Sequence, residues 1–335
     1  SIKQAGDANG VQNFFMLKQI GRNPLIARAL TDMGYVGAVC VDFREALTMV
    51  ENQIPLGNVG HLVQIPRAAL KKILRAKPVI VTVYTLEKAR EISAVCTELG
   101  LHQKLMLRVL GEGDMLYSGQ YGGFELQELD SAVRAIEAMP NVEVGGVCSF
   151  PCFLYDEAAQ DILPMPNLRT VQTAAEMLRA RGYRDLMLNT PSATCTHSIP
   201  MIAAAGGTHG EPGHGLTGTT PYHAGHPDAE ERPGYLYVSE VSHNLGDKAY
   251  CYGGGHYRRG HMKNALVGTT PENAKVVPVL PPDDSSIDYH FELQQNCPVS
   301  AAAVMAFRTQ FFVTRSRVAV VKGLSSGKPE LAGLY

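Results

Sequence analysis

Between Phe14 and Leu216 the chain alternates short apolar runs with stretches patterned as helices, and this alternation restricts the fold more than any other feature. The runs are Phe14–Leu17, Ala38–Val41, His61–Ile65, Val79–Val83, Leu105–Val109, Val144–Cys148, Leu186–Leu188 and Met201–Ala205. Strands buried on both faces read as continuous apolar residues, and eight of them in about 200 residues is the count of a (β/α)8 barrel. Between the runs, Pro24–Met33 carries Leu25, Ile26, Ala29 and Leu30 on one helical face behind a leading proline. Leu86–Leu99 does the same with Ala89, Ile92, Val95 and Cys96, and Leu168–Arg181 with Val171, Ala174, Ala175 and Leu178 ahead of Gly182. The pattern predicts an α/β protein built on a TIM barrel over residues 14–221; a doubly wound sheet would give similar alternation.

Past Pro221 the texture changes. Tyr235–Val241, Lys248–Tyr252, Lys275–Leu280, Ile287–Phe291, Ala306–Val313 and Val318–Val321 read as short strands between Gly, Pro and Asp clusters. They predict a mostly antiparallel β domain over residues 234–335, with residues 1–13 free to join it and residues 222–233 as linker.

Composition narrows the partners. Of 335 residues, 45% are hydrophobic and 19% charged, the balance of a globular chain with a large core. Thirty basic and 32 acidic residues leave a net charge of -2, which gives no reason to expect nucleic acid or an anionic membrane as partner. Seven scattered cysteines suit reduced, buried thiols and a cytoplasmic protein rather than a disulfide framework. With no signal-peptide pattern and no apolar run near the roughly 20 residues that span a bilayer, the protein is expected to be soluble.

The first run ends in Lys18, at the strand end where parallel barrels keep their active sites. A lysine there can simply snorkel, its stem packed and its ammonium wet. Desolvated, it becomes a nucleophile able to form a Schiff base. After the seventh run comes Asn189-Thr190-Pro191-Ser192-Ala193-Thr194-Cys195, and after the eighth Gly206-Gly207-Thr208-His209-Gly210-Glu211-Pro212-Gly213-His214-Gly215. Loops after barrel strands seven and eight are the usual phosphate site of this architecture, because small residues let backbone N–H groups approach phosphate oxygens.

These three features together resemble the pyridoxal-phosphate barrel of the fold type III enzymes: alanine racemase, D-threonine aldolase and D-serine dehydratase. The resemblance implies pyridoxal 5'-phosphate as cofactor and Lys18 as its Schiff-base lysine. It implies further that Thr190, Ser192, Thr194, Gly213 and His214 serve the phosphate. Glu211-Pro212-Gly213 matches the family's Arg-Pro-Gly. The arginine that faces the pyridine nitrogen in alanine racemase is thus Glu211 here, unless Glu211 is an exposed loop carboxylate. A carboxylate at that nitrogen would keep it protonated and make the ring a stronger electron sink. Arg108 aligns near a racemase lysine in the cofactor and substrate region, with a structural ion pair as the alternative. Phe150 aligns with a histidine that packs on the ring, and Arg22 with a tyrosine position, where it could contact the cofactor phosphate or a substrate carboxylate.

In the second domain, Gly246-Asp247-Lys248-Ala249-Tyr250-Cys251-Tyr252-Gly253 is similar to the racemase segment whose Tyr-Gly supplies a second base from the partner subunit. Tyr252 takes that position; Cys251 is an alternative, and a purely structural tyrosine a third possibility. Gln295-Asn296-Cys297-Pro298 resembles the His-x-Cys-Pro metal segment of the dehydratase and aldolase branch, but glutamine stands where a strong imidazole ligand belongs, so either no metal or a differently assembled site is expected. His209, His214, His223 and His226 form a loose cluster, more often solvated or hydrogen-bonded than metal-binding. The resemblance implies an amino-acid racemase, at least a homodimer, acting on a small-molecule amino acid through Lys18 and a second base on the opposite face. A D-amino-acid lyase, or a non-catalytic carrier of the cofactor, is the alternative.

Overall fold

The computed structural model describes residues 1–335 and divides into two compact units. One comprises Ser1–Lys18, Arg22–Leu216 and Pro221–Glu231, the other Gln19–Gly21, Thr217–Thr220 and Arg232–Tyr335. Helix Ile2–Asn9 and the short helix Pro221–Gly225 both group with the first unit.

The first unit is a parallel barrel closed through its first strand, whose two pieces bond to different neighbours. Gln12–Asn13 pairs with His209–Gly210, and Phe15–Met16 pairs with Ala38–Cys40. Between them run Leu56–Val59, Ile80–Val83, Gln103–Leu110, Val142–Cys148 and Met187–Asn189, each parallel to the next. Phe14, Phe15 and Leu17 are fully buried, as expected of a strand covered on both faces.

Three of the barrel helices open on a side-chain cap. Asn23 accepts from the N–H groups of Leu25 and Ile26 and opens Pro24–Asp32. Asp42 accepts from the Glu45 N–H while the Glu45 carboxylate reaches back to the Val41 N–H, so reciprocal capping opens Phe43–Glu51. Thr85 caps Leu86–Leu99, which ends on Gly100 in the left-handed region.

Two strand expectations are corrected. The third strand is Leu56–Val59, not His61–Ile65, and the eighth is His209–Gly210, while Met201–Ala205 lies almost wholly within helix Ile199–Ala204. Both true strands contain glycine and a polar residue, which lowers their apolar signal. The physical reason is close approach. A Cβ at Gly57 would come within 2.4 Å of the Phe14 ring, and one at Gly210 within 2.8 Å of the Asn13 side chain.

The second unit contains a closed six-stranded antiparallel barrel. Its circular order is Tyr237–Leu245, Lys248–Tyr252, His290–Leu293, Lys275–Leu280, Asn264–Gly268 and Ala302–Met305, filled by Val241, Phe291, Leu293 and Met305. Asn264–Gly268 was not predicted, and the strand expected over Ala306–Val313 lies earlier, at Ala302–Met305. Its inward positions are Ala303 and Met305, and its opening alanines have little strand propensity to announce it. A hairpin, Ala319–Lys322 with Glu330–Leu334, completes the unit.

All seven cysteines are buried and unpaired. A thiol reagent should therefore modify native protein slowly and titrate seven groups once guanidinium is added; rapid reaction of several thiols in buffer would contradict the packing.

Candidate active site

The carboxyl ends of the barrel strands gather titratable and amide side chains into one buried set. At its centre, Glu211 Oε1 accepts hydrogen bonds from Asn58 Nδ2 at 3.0 Å and Asn189 Nδ2 at 2.6 Å. Asn58 Oδ1 in turn accepts from the Thr82 hydroxyl at 2.7 Å, so strands three, four, seven and eight are tied through one carboxylate. The second oxygen, Glu211 Oε2, is buried with no hydrogen-bond partner in the protein. Glu211 is thus not an exposed loop carboxylate.

Arg108, inward on the fifth strand, is completely buried. Its Nη1 donates to the Tyr84 hydroxyl at 3.0 Å, and the guanidinium lies 4.9 Å from the Tyr84 ring centre. Nε and Nη2 have no partner, and Arg108 makes no salt bridge of the kind the structural alternative required. A buried guanidinium without a counter-ion is costly, so two unsatisfied nitrogens point to an anionic ligand.

Sequence reasoning missed His61 and Tyr84. Tyr84 directly follows the fourth strand, and His61 lies two residues past the third, a positional signal that the misplaced third strand concealed for His61. The Tyr84 hydroxyl donates to the His61 carbonyl. His61 lies edge-on to Phe150 with ring centres 5.6 Å apart, its Nδ1 is 3.7 Å from Cys148 Sγ, and its Nε2 is unpartnered. Burial, followed by the field of Arg108 and Lys18 working against that of Glu211, holds the imidazole below its ordinary pKa, hence neutral. Burial likewise pushes the Cys148 thiol up to about 12.

Lys18 is half-buried and opens the turn Lys18–Ile20 where the first strand ends. Its charge is felt by His61 and by Glu45. Arg22, four residues on, donates from Nη2 to Asp42 Oδ2 at 3.0 Å. In the loop after strand seven, Thr190 Oγ1 is buried without a partner, Ser192 donates to the Phe153 carbonyl, and Thr194 Oγ1 accepts from the Glu211 N–H. The loop carrying Gly213 and His214 lies against it so closely that a Cβ at Gly215 would meet the Thr194 carbonyl oxygen at 2.2 Å. Small residues are required there, as a cradle for phosphate also demands.

The remaining candidates lie elsewhere. Tyr252 and Cys251 end a strand of the second barrel, where alternation turns the thiol into the core and leaves the phenol 51% exposed. Burial raises the Cys251 thiol. Cys297 is buried and its backbone is held on both sides by the Asn244 amide. The four loop histidines are accounted for separately: His209 stacks on Phe14, His223 pairs with Glu231 at 3.1 Å, His226 stacks on Tyr222, and His214 is buried after the eighth strand. No group of three His, Cys, Asp or Glu side chains is disposed to hold a metal ion.

Residues 2–221 match the family model described as alanine racemase, N-terminal domain. The chain belongs to that family. Residues 236–331 match the YhfX-like C-terminal domain. The uncharacterized protein YhfX of Escherichia coli strain K12 is 45% identical over 328 residues, covering 97% of this chain and 84% of that protein. Among solved structures, D-threonine aldolase from Filomicrobium marinum superposes with a TM-score of 0.70 at 16% identity, over 99% of this chain and 88% of its own. An alanine racemase of Clostridium difficile 630 does so at 0.63 and 14%, over 90% and 82%. Enzymes of the alanine racemase N-terminal domain family use pyridoxal 5'-phosphate. The orphaned Glu211 oxygen, the uncompensated Arg108 and the glycine-dependent loops fit that cofactor.

Glu45 supplies a test of the site's electrostatics. Burial pushes its carboxyl up to about 7 against the pull of the Val41 N–H and Lys18. An acid raised from 4.5 to about 7 carries no penalty below 4.5; the cost grows between the two values and is complete above 7. Glu45→Gln in the cofactor-free protein should therefore unfold later than wild type at pH 8, by about 3 kcal/mol, and match it near pH 4.5. Denaturant titrations at the two pH values check this; equal stability at both would remove Glu45 as a strained acid.

Proposed function

We propose that the chain is a pyridoxal-phosphate-dependent amino-acid racemase. The observation that carries the cofactor site is the Glu211 carboxylate, gripped on one oxygen by Asn58 and Asn189 and unpartnered on the other. Glu211 would hold the proton of the ring nitrogen, Lys18 would bond the cofactor through its amine, and the loops of Thr190–Thr194 and Gly213–His214 would receive the phosphate. When bound, the cofactor withdraws electrons from an amino acid's α-carbon and makes its C–H bond acidic.

The chain's own groups do the rest. Lys18 exchanges the α-proton on one face, and Arg108 meets an anionic oxygen of cofactor or substrate, with neutral His61 adding no second charge beside it. Arg22, committed to Asp42, is better placed to orient the loop after strand one than to meet substrate directly. Tyr252 serves as the second base, contributed by another copy of the chain; its phenol is exposed, whereas the Cys251 thiol is packed in the core. Two bases on opposite faces separate a racemase from a lyase. The lyase reading keeps one support, since a carboxylate at the ring nitrogen favours elimination and cleavage as well. Seven buried thiols suit a reducing, cytoplasmic setting.

Incubating the single enantiomers of the proteinogenic amino acids in D2O separates these outcomes. Racemisation yields α-deuterated antipode, elimination an oxo acid, and aldol cleavage glycine with an aldehyde. No α-deuteration of any of them would leave only cofactor carriage. Borohydride treatment should fix a chromophore on Lys18, and a Lys18→Ala protein that retained it would overturn the site. Tyr252→Phe should slow racemisation roughly 10²- to 10⁴-fold while exchange from one enantiomer persists. Sedimentation should show at least a dimer.

A further inference from the structure

Tyr252 is followed by three glycines and His256. Tyr252 itself is paired with His290 in the antiparallel ladder, their ring centres 5.8 Å apart. A run of glycines has no conformational preference of its own, so whatever holds the chain just beyond the tyrosine must come from elsewhere. The structure shows what does. Asp288 Oδ2 accepts the N–H groups of both Gly254 and His256 at 2.9 Å. Arg315 Nη2 donates at 2.8 Å to Asp288 Oδ1 and again to the Asp288 carbonyl, and the Arg315 N–H donates to the Gly254 carbonyl at 2.8 Å. The Gly253 N–H reaches the Tyr289 carbonyl at 2.8 Å.

On the other side, the hydroxyls of Ser239 and Tyr237 donate to the Tyr252 carbonyl at 2.6 and 3.2 Å. A Cβ at Gly253 would come within 2.0 Å of the Asp288 carbonyl oxygen, and one at Gly255 within 2.4 Å of the Tyr237 ring. Gly254 has φ at 112°, a conformation that L side chains rarely adopt. The glycine run is therefore tightly packed and bound at each peptide. Asp288 lies at the centre of this grip, and none of residues 252–256 is needed to fill the barrel core.

We propose that Asp288, braced by Arg315, is the positioning residue for Tyr252. Its carboxylate fixes the direction of the chain beyond the tyrosine and so the point that the phenol reaches. The inference rests on Tyr252 as the second base. An outward tip gripped by a charged side chain on two N–H groups is what a catalytic group needs to be held within a fraction of an ångström.

The test uses holoenzyme in D2O with each enantiomer of whichever amino acid exchanges fastest in the panel above. Asp288→Ala should leave exchange on the Lys18 face at the wild-type rate and slow the opposite face about a hundredfold, the usual result of a misplaced catalytic group. Asp288→Asn keeps an acceptor oxygen and should recover part of the loss; it also carries the test if the alanine variant does not fold. Deuterium uptake by the peptide spanning 253–263 should rise in Asp288→Ala, a change independent of activity. Equal slowing on both faces, or unchanged exchange with unchanged uptake, would overturn the assignment. Tyr252→Phe in parallel separates the two proposals. If it leaves both faces exchanging, the second base is not Tyr252; if it stops one face while Asp288→Ala does not, only the role of Asp288 falls.

Discussion

One carboxylate organises the interior of the barrel mouth. Glu211 joins residues of the third, seventh and eighth strands through two amide donors, and Thr82 extends the chain to the fourth. A buried carboxylate is tolerable only when hydrogen bonds replace the water it has lost, and here they replace it at one oxygen alone. The amides therefore perform two tasks. They hold the strand ends in register with one another, and they aim the unsatisfied oxygen as a rigid group rather than a flexible one.

Charge in the site follows from burial. Arg108 is permanently charged and wholly enclosed, His61 is neutral beside it, and Tyr84 connects them through one accepted and one donated hydrogen bond. A desolvated guanidinium with two idle nitrogens is unstable on its own account and becomes favourable when an anion arrives. Such pre-arranged dipoles and charges are how a protein makes a cofactor's chemistry proceed without reorganising at the moment of reaction.

The periodicity of the chain revealed the architecture because most barrel strands are covered on both faces and most helices carry one apolar stripe. Lys18 was legible for the same reason, as a charge ending an apolar run. Glu211 and the glycine-rich loops were legible through resemblance. What stayed hidden had a common cause: Asn58 and Gly57 break the third strand's apolar pattern, one because it must donate to Glu211 and the other because Phe14 leaves no room for a Cβ. Hydrogen bonding and packing thus erased the signal of that strand, and His61 was lost with it. In the second barrel, Asp288 gave no signal at all, since its partners are two backbone N–H groups more than thirty residues away and an arginine 27 residues on.

Neighbouring positions 251 and 252 lie on opposite faces of one strand, the first in the core and the second in solvent. Stability is thereby assigned to one position, and the next is left free of the core. The side chain at 252 can be exchanged for an inert or a differently acidic one with little effect on folding, because nothing in the core depends on it. On the proposed reading of Tyr252, a single surface substitution there changes the fate of an activated amino acid and keeps intact the machinery that activates it.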